Sequence, residues 1–223
     1  MDVFNIAKSI EKFIFELLMW LIFYPYTLFR VIFQPGYMLD YARQETLKDE
    51  DISFDSGMKP SIFLFLSIVI AAFLAPLAPA DLATLKASQT GQYVTQSWIN
   101  LLFFRMAIFS IFPITFALIY DLITPGSVTR NSLKIPFNQQ CYICAPFTLI
   151  TSLTFILYPH TGNIAYLLAL IAAQIWLLAS NFFFFKGQVG KSNGASAAIT
   201  VMAFGVAWVA FLGTTTLALN FKD

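Results

Sequence analysis

Residues 98–120 read WINLLFFRMAIFSIFPITFALIY, and a single charge, Arg105, interrupts an otherwise apolar and uncharged polar run. A helix needs roughly 20 mostly apolar residues to cross a hydrocarbon core about 30 Å thick, and this stretch supplies them. Four other stretches do the same: Pro60–Ala80, Cys141–Pro159, Asn163–Phe185 and Ala195–Leu219. Lipid offers the backbone no hydrogen-bonding partner, so a spanning segment is either a helix or a strand of a closed barrel. None of the five alternates with the period of two that a barrel strand needs. The expected fold class is all-α: an integral membrane bundle of five transmembrane helices.

Composition agrees with this. Of 223 residues, 58% are hydrophobic and only 11% charged, with 25 Phe. Soluble domains carry about 25% charged residues, so this chain is too poor in charge to coat a surface in water. A soluble enzyme and a disordered regulator are both disfavoured. A net charge of +1 lacks the basic footprint of a polyphosphate binder, and no nucleic-acid partner is expected. The expected partner is the lipid bilayer.

The stretch Phe13–Phe33 is shorter in effect, because Glu16, Pro25 and Arg30 interrupt it. Ile6, Ile10, Phe13, Ile14, Leu17 and Leu21 share one helical face, while Lys8, Lys12 and Glu16 recur every four residues on another. That pattern describes an amphipathic helix lying in the membrane surface or half inserted, with a sixth span as the alternative. Asp2, Glu11 and Glu16 argue against a cleaved export signal, and no small-residue cleavage site follows. The expected organisation is a membrane-lying helix at 1–33, a polar acidic linker at 34–59 and a transmembrane domain at 60–219.

Basic residues orient the bundle. With five spans, Lys8, Lys12, Arg30, Arg43, Lys48, Lys59, Arg130, Lys134, Lys186 and Lys191 fall on one side, and Lys86 and Lys222 on the other. The N-terminus is expected in the cytoplasm and the C-terminus on the far side. The segment Gln34–Lys59 carries Asp49, Glu50, Asp51 and Asp55 but lacks the ligand pattern of a calcium loop. It reads as a solvated cytoplasmic linker, with docking of a cytoplasmic protein partner through 34–59 and 121–140 as its functional possibility.

Arg105 is the most informative side chain. An ionisable group within a span costs at least about 2.5–3.5 kcal/mol, so it is expected to face the bundle interior or a wet cavity. Its candidate contacts are backbone carbonyls, Gln174 of the fourth span, or an anion or lipid headgroup. Cys141 and Cys144 form a lone CxxC, which without further ligands reads as two small apolar residues rather than a metal or redox site. His160 stands alone in the turn Pro159–Gly162. Gly190-Lys191-Ser192 resembles the end of a phosphate-binding loop, but Phe185 occupies the position of its first glycine. No catalytic set, metal site or cofactor is expected. Ala203, Ala207, Ala210 and Thr214 line one smooth face of the last span, the kind of face that packs helices in lipid. Whether it serves the monomer or a homo-oligomer is open at this level.

The order of features resembles the Yip family, membrane proteins named for interaction with Rab-type GTPases, which also has bacterial relatives. The resemblance covers approximately residues 29–215. It begins with LFRVIFQPG (28–36), continues through FNQQCYICAPFTLITSL (137–153), and ends in QIWLLASNFFFFKGQVGKSNGASAAI (174–199). It implies five spans with the N-terminus inside, and it supplies no catalytic residues; Arg105 and the additional N-terminal segment depart from the pattern. The expected function is a non-enzymatic scaffold or adaptor in membrane organisation or trafficking-like processes. The alternative is a small permease or channel subunit passing an anion or lipid along a path lined by Arg105 and Gln174.

Overall fold

A computed structural model describes residues 3–49, 53–74, 85–86, 88–189 and 192–220, with the side chains of 3–7, 155–163, 188–189 and 219–220 left aside. The described chain is helical: α1 Val3–Phe33, α2 Pro35–Thr46, α3 Pro60–Leu74, α4 Gln89–Thr95, α5 Trp98–Ile123, α6 Arg130–Val189 and α7 Asn193–Asn220. Four segments are long and apolar enough to cross a membrane: Lys8–Phe33, Trp98–Ile123, Ile164–Gly187 and Asn193–Ala218. Pro60–Leu74 is a shorter apolar helix, and the remainder of its expected span, 75–80, lies outside the described residues. This is the pattern of a helical, multi-pass membrane protein. The stretch Lys8–Phe33, expected to be the less certain case, thus meets the length and hydropathy of a span.

The helical run α6 is not one straight rod. The Gln140 side-chain amide donates to Asn181 Oδ1 at 3.0 Å across 41 residues of sequence, which a straight helix would hold about 60 Å apart. The run therefore folds back on itself, with a first arm (130–154) antiparallel to a second (164–189). The backbone at Pro159–Gly162, the expected tight turn, keeps helical local geometry within this run, and the side chains there, His160 included, are not described.

The first arm is the centre of the molecule. Gln139 to Ala145, Phe147 and Thr148 are each no more than 1% exposed. Tyr142 packs on Phe63 of α3 and on Tyr41 of α2, and Phe147 packs on Phe112 of α5. Enclosure explains how this arm tolerates Gln139 and Gln140, which protein rather than lipid surrounds, while the preceding amide, Asn138, is half-buried at the edge of the core. Phe112 is the hub on the far side of the arm, with ring centroids of Phe147, Trp208 and Phe211 all within 5.5 Å.

The outer helices are inverted relative to a soluble protein. In α7, Ser196, Thr200, Ala203 and Ala207 are buried, while Val201, Met202, Val206 and Val209 are exposed. Ile164, Leu167, Leu168, Ile171 and Ile175 form an exposed apolar stripe on the second arm. Small residues face inward, where backbones approach, and branched residues face outward toward lipid. The smooth face expected on the last span is thus used inside the monomer at Ala203 and Ala207. It fades outward, with Ala210 half-buried and Thr214 exposed.

The segment 34–59 departs from expectation. Its described residues are not solvated throughout: α2 buries Met38, Leu39, Tyr41, Ala42, Glu45 and Thr46, and Phe54 and Met58 also belong to the core. The physical reason is its spacing of large residues. Positions 38, 39, 42 and 45–46 share one helical face, which the acidic composition of the segment conceals.

Candidate functional site

The two segments expected to lie in the cytoplasm meet at one end of the bundle. Asn138 Nδ2 donates to Thr46 Oγ1 at 3.0 Å, and Gln139 Nε2 to the Leu39 carbonyl at 2.9 Å. Tyr142 Oη donates to the Met58 carbonyl, and the Met58 N–H reaches Thr27 Oγ1 of α1 at 3.4 Å. These bonds hold α2 and the turn at 53–58 on the first arm. Each replaces a hydration that a buried polar group has lost, which is what makes such a layer rigid.

Glu45 organises the turn. Its Oε2 accepts the Phe54 N–H at 2.7 Å and its Oε1 pairs with Lys48 Nζ at 2.5 Å. Phe54 has a φ of 62°, in the left-handed region that bulky residues avoid. At Gly57 a Cβ would stand 3.0 Å from Tyr41 Oη, close enough that the phenol would have to give by a few tenths of an ångström. Burial pushes the Tyr41 phenol above its ordinary range, with Glu45 adding to the shift and the Ser56 hydroxyl opposing it.

Basic residues collect at this end. The Arg30 guanidinium lies 4.9 Å from the rings of both Tyr26 and Tyr37. Lys48, Lys59 and Lys134 line a polar crevice of about 200 Å³ with Glu45, Thr46 and Asn138. A larger groove of about 750 Å³ lies between α5 and the first turns of α6, lined by Ile114, Ala117, Leu118, Arg130, Asn131, Leu133, Lys134 and Phe137. The opposite end carries α4, whose Tyr93 carbonyl accepts from Asn100 Nδ2 at 3.0 Å, and the Lys86 carbonyl, which accepts from Gln92.

A third hollow, about 450 Å³, has Phe15, Glu16, Met19, Trp20 and Phe23 of α1 on one wall and residues 53–55, 57–59 and Ile62 on the other. This part of α1 therefore lies beside the turn at the basic end. Only its last turns enter the core: Tyr24 bonds Ser67 at 2.9 Å and the Ile32 carbonyl accepts from Trp176 Nε1 at 3.1 Å.

Arg105 and Gln174 are placed differently from one another. Gln174 Oε1 accepts from Trp208 Nε1 at 3.2 Å, level with Phe112. Arg105 is half-buried seven residues earlier on α5, about 10 Å further along the axis. The antiparallel register set by Phe112–Trp208 and Phe109–Phe211 carries it toward Thr214–Thr216 of α7. Cys141 and Cys144 are buried and not joined in a disulfide, with Cys144 Sγ 4.0 Å from Gln140 Oε1. Among the described residues no three His, Cys, Asp or Glu side chains cluster as a metal site. Gly190 and Lys191 lie outside them.

The chain matches no family model, no curated protein and no solved structure. The features that sequence reasoning missed are the Glu45–Phe54 turn and the Gln140–Asn181 clasp. The second had a visible signal, three amides in a row at the mouth of an apolar stretch.

Proposed function

We propose that this is a non-enzymatic, multi-pass membrane protein that acts as a scaffold or adaptor, with the basic end in the cytoplasm and its α2 surface offered to a protein partner. The observation that carries this reading is the built character of that end: α2 is pinned by Asn138, Gln139 and Tyr142, and it turns Tyr37, Asp40, Arg43, Gln44 and Leu47 outward. A helix stapled to the core with a mixed polar and apolar outer face is a presented surface. Clustering of Lys48, Lys59, Lys134 and Arg130 at the same end supports the cytoplasmic orientation. The position of α1 beside the turn at 53–59 supports a membrane-lying rather than a fully spanning helix. The Yip-like order of motifs stands with this reading as an expectation of the same kind.

The test is affinity capture of the full chain from solubilised native membranes. Asp40→Arg with Gln44→Arg changes the outer face of α2 without touching its buried side, so the partner is expected to be lost at an unchanged thermal midpoint. Retention of every partner counts against the proposal. A permease would need Arg105 on a conducting path, and in liposomes Arg105→Ala is expected to leave anion permeability at the wild-type level. Abolished flux would favour transport instead.

A further inference from the structure

We infer that the groove between α5 and the start of α6 binds the headgroup and upper acyl chain of an anionic phospholipid. Its chemistry is divided along its length. Arg130 and Lys134, one helical turn apart and both exposed, stand at the rim where α6 begins. Ile114, Leu118 and Phe137 form apolar walls below them. Ile114 is nine residues before the end of α5, so the groove descends about 13 Å from the cationic rim. That depth matches a ligand with a charged head and a hydrocarbon continuation, and it does not match a free anion. At about 750 Å³, the groove falls within the ordinary range of roughly 300–1,000 Å³ for small-molecule sites.

The charges there are available. Among the described residues neither Arg130 nor Lys134 pairs with an acid. The acid beside the groove, Asp121, one turn beyond Leu118 on α5, is buried and accepts from Ser132 Oγ at 2.7 Å, and Glu45 of the adjoining crevice is committed to Lys48 and the Phe54 N–H. Basic pockets between membrane helices at the headgroup level select anionic lipid on the same principle. This inference stands whether or not α2 recruits a protein.

The full chain in mild detergent is titrated with short-chain phosphatidylglycerol, with phosphatidylcholine of identical chains, and with inorganic phosphate. Native mass spectrometry and the thermal midpoint are read together. One phosphatidylglycerol per chain is expected, bound in preference to phosphatidylcholine. Arg130→Ala with Lys134→Ala is expected to weaken it about 25-fold, at about fivefold for each cation near a headgroup. Leu118→Trp, which fills the apolar part and keeps both cations, is expected to lose the lipid as well. Lys186→Ala serves as the control and is expected to bind normally. Equal binding of the two lipids overturns the inference, as does full binding by Leu118→Trp or displacement by phosphate alone. A lipid-free dimer dissolved by Leu118→Trp would place a second copy in the groove and overturn it too.

Discussion

Phe54 holds a backbone conformation that costs a bulky residue on the order of 1–3 kcal/mol, and two interactions offset it. Its ring is buried against Tyr41, with centroids 6.0 Å apart, and its N–H is fixed by Glu45. Glu45→Ala removes the acceptor from a buried N–H and separates Lys48 from its partner. The expected loss is about 1–3 kcal/mol of stability, read as a lower thermal midpoint in mild detergent. Glu45→Gln keeps an acceptor oxygen and is expected to lose less than half as much. Equal midpoints for Glu45→Ala and wild type would mean that ring burial alone holds the turn. Nothing in the string ETLKDEDISFDSG (45–57) distinguishes the carboxylate of Glu45 from those of the acids that follow it. Its role is set by α2 docking on α6, a long-range contact that local spacing does not encode.

At the scale of elements, the clasp between the two arms of α6 invites a double-mutant cycle. Gln140→Leu alone leaves Asn181 Oδ1 without its donor, and Asn181→Leu alone leaves the Gln140 amide without its acceptor, each costing about 1–3 kcal/mol. The double variant is expected to recover part of the loss, giving a coupling of about 0.5–3 kcal/mol between positions 41 residues apart in sequence. Strict additivity would mean the amides do not meet. In α7, Ala207→Leu drives extra volume into a site with 0% exposure and is expected to cost about 1–3 kcal/mol, whereas Val209→Leu on the lipid face is expected to be silent; thermal midpoints of both variants decide this. The inward face of α7 was legible because small residues at helical spacing are a direct mark of close packing in lipid. The first arm was not so legible. The apolar run beginning at Cys141 read as an ordinary span, yet Asn138, Gln139 and Gln140 continue the same helix into the core. Gln174 and Arg105 could be matched by type from the sequence, but only the helix register shows that Trp208 reaches Gln174 first.

For the whole molecule, the two native cysteines offer a clean background, since both are 0% exposed. Single cysteines introduced as Lys59→Cys and Val128→Cys are expected to react with a membrane-impermeant maleimide from the same side of sealed vesicles. Gln92→Cys, on α4 at the other end, is expected to react only from the opposite side. Labelling of Lys59→Cys and Val128→Cys from opposite sides would overturn the arrangement in which the groove, the crevice and α2 share one end. The broad class and most of the helix positions followed from composition and run length, because the bilayer allows few alternatives. The gathering of 34–59 onto 130–154 did not, because α2 is short and its buried face is masked by acidic neighbours.

Enclosure of the first arm of α6 also bears on how the chain is assembled in the cell. Insertion machinery judges each emerging segment by its own partition between water and lipid, before any tertiary neighbour has been made. Asn138, Gln139 and Gln140 burden the arm that leaves the ribosome first, and the apolar stripe from Ile164 to Ile175 belongs to the arm that follows. The later arm is therefore expected to carry the earlier one into the bilayer, so that the two enter as a pair and nascent-chain topology is decided only after both have been translated.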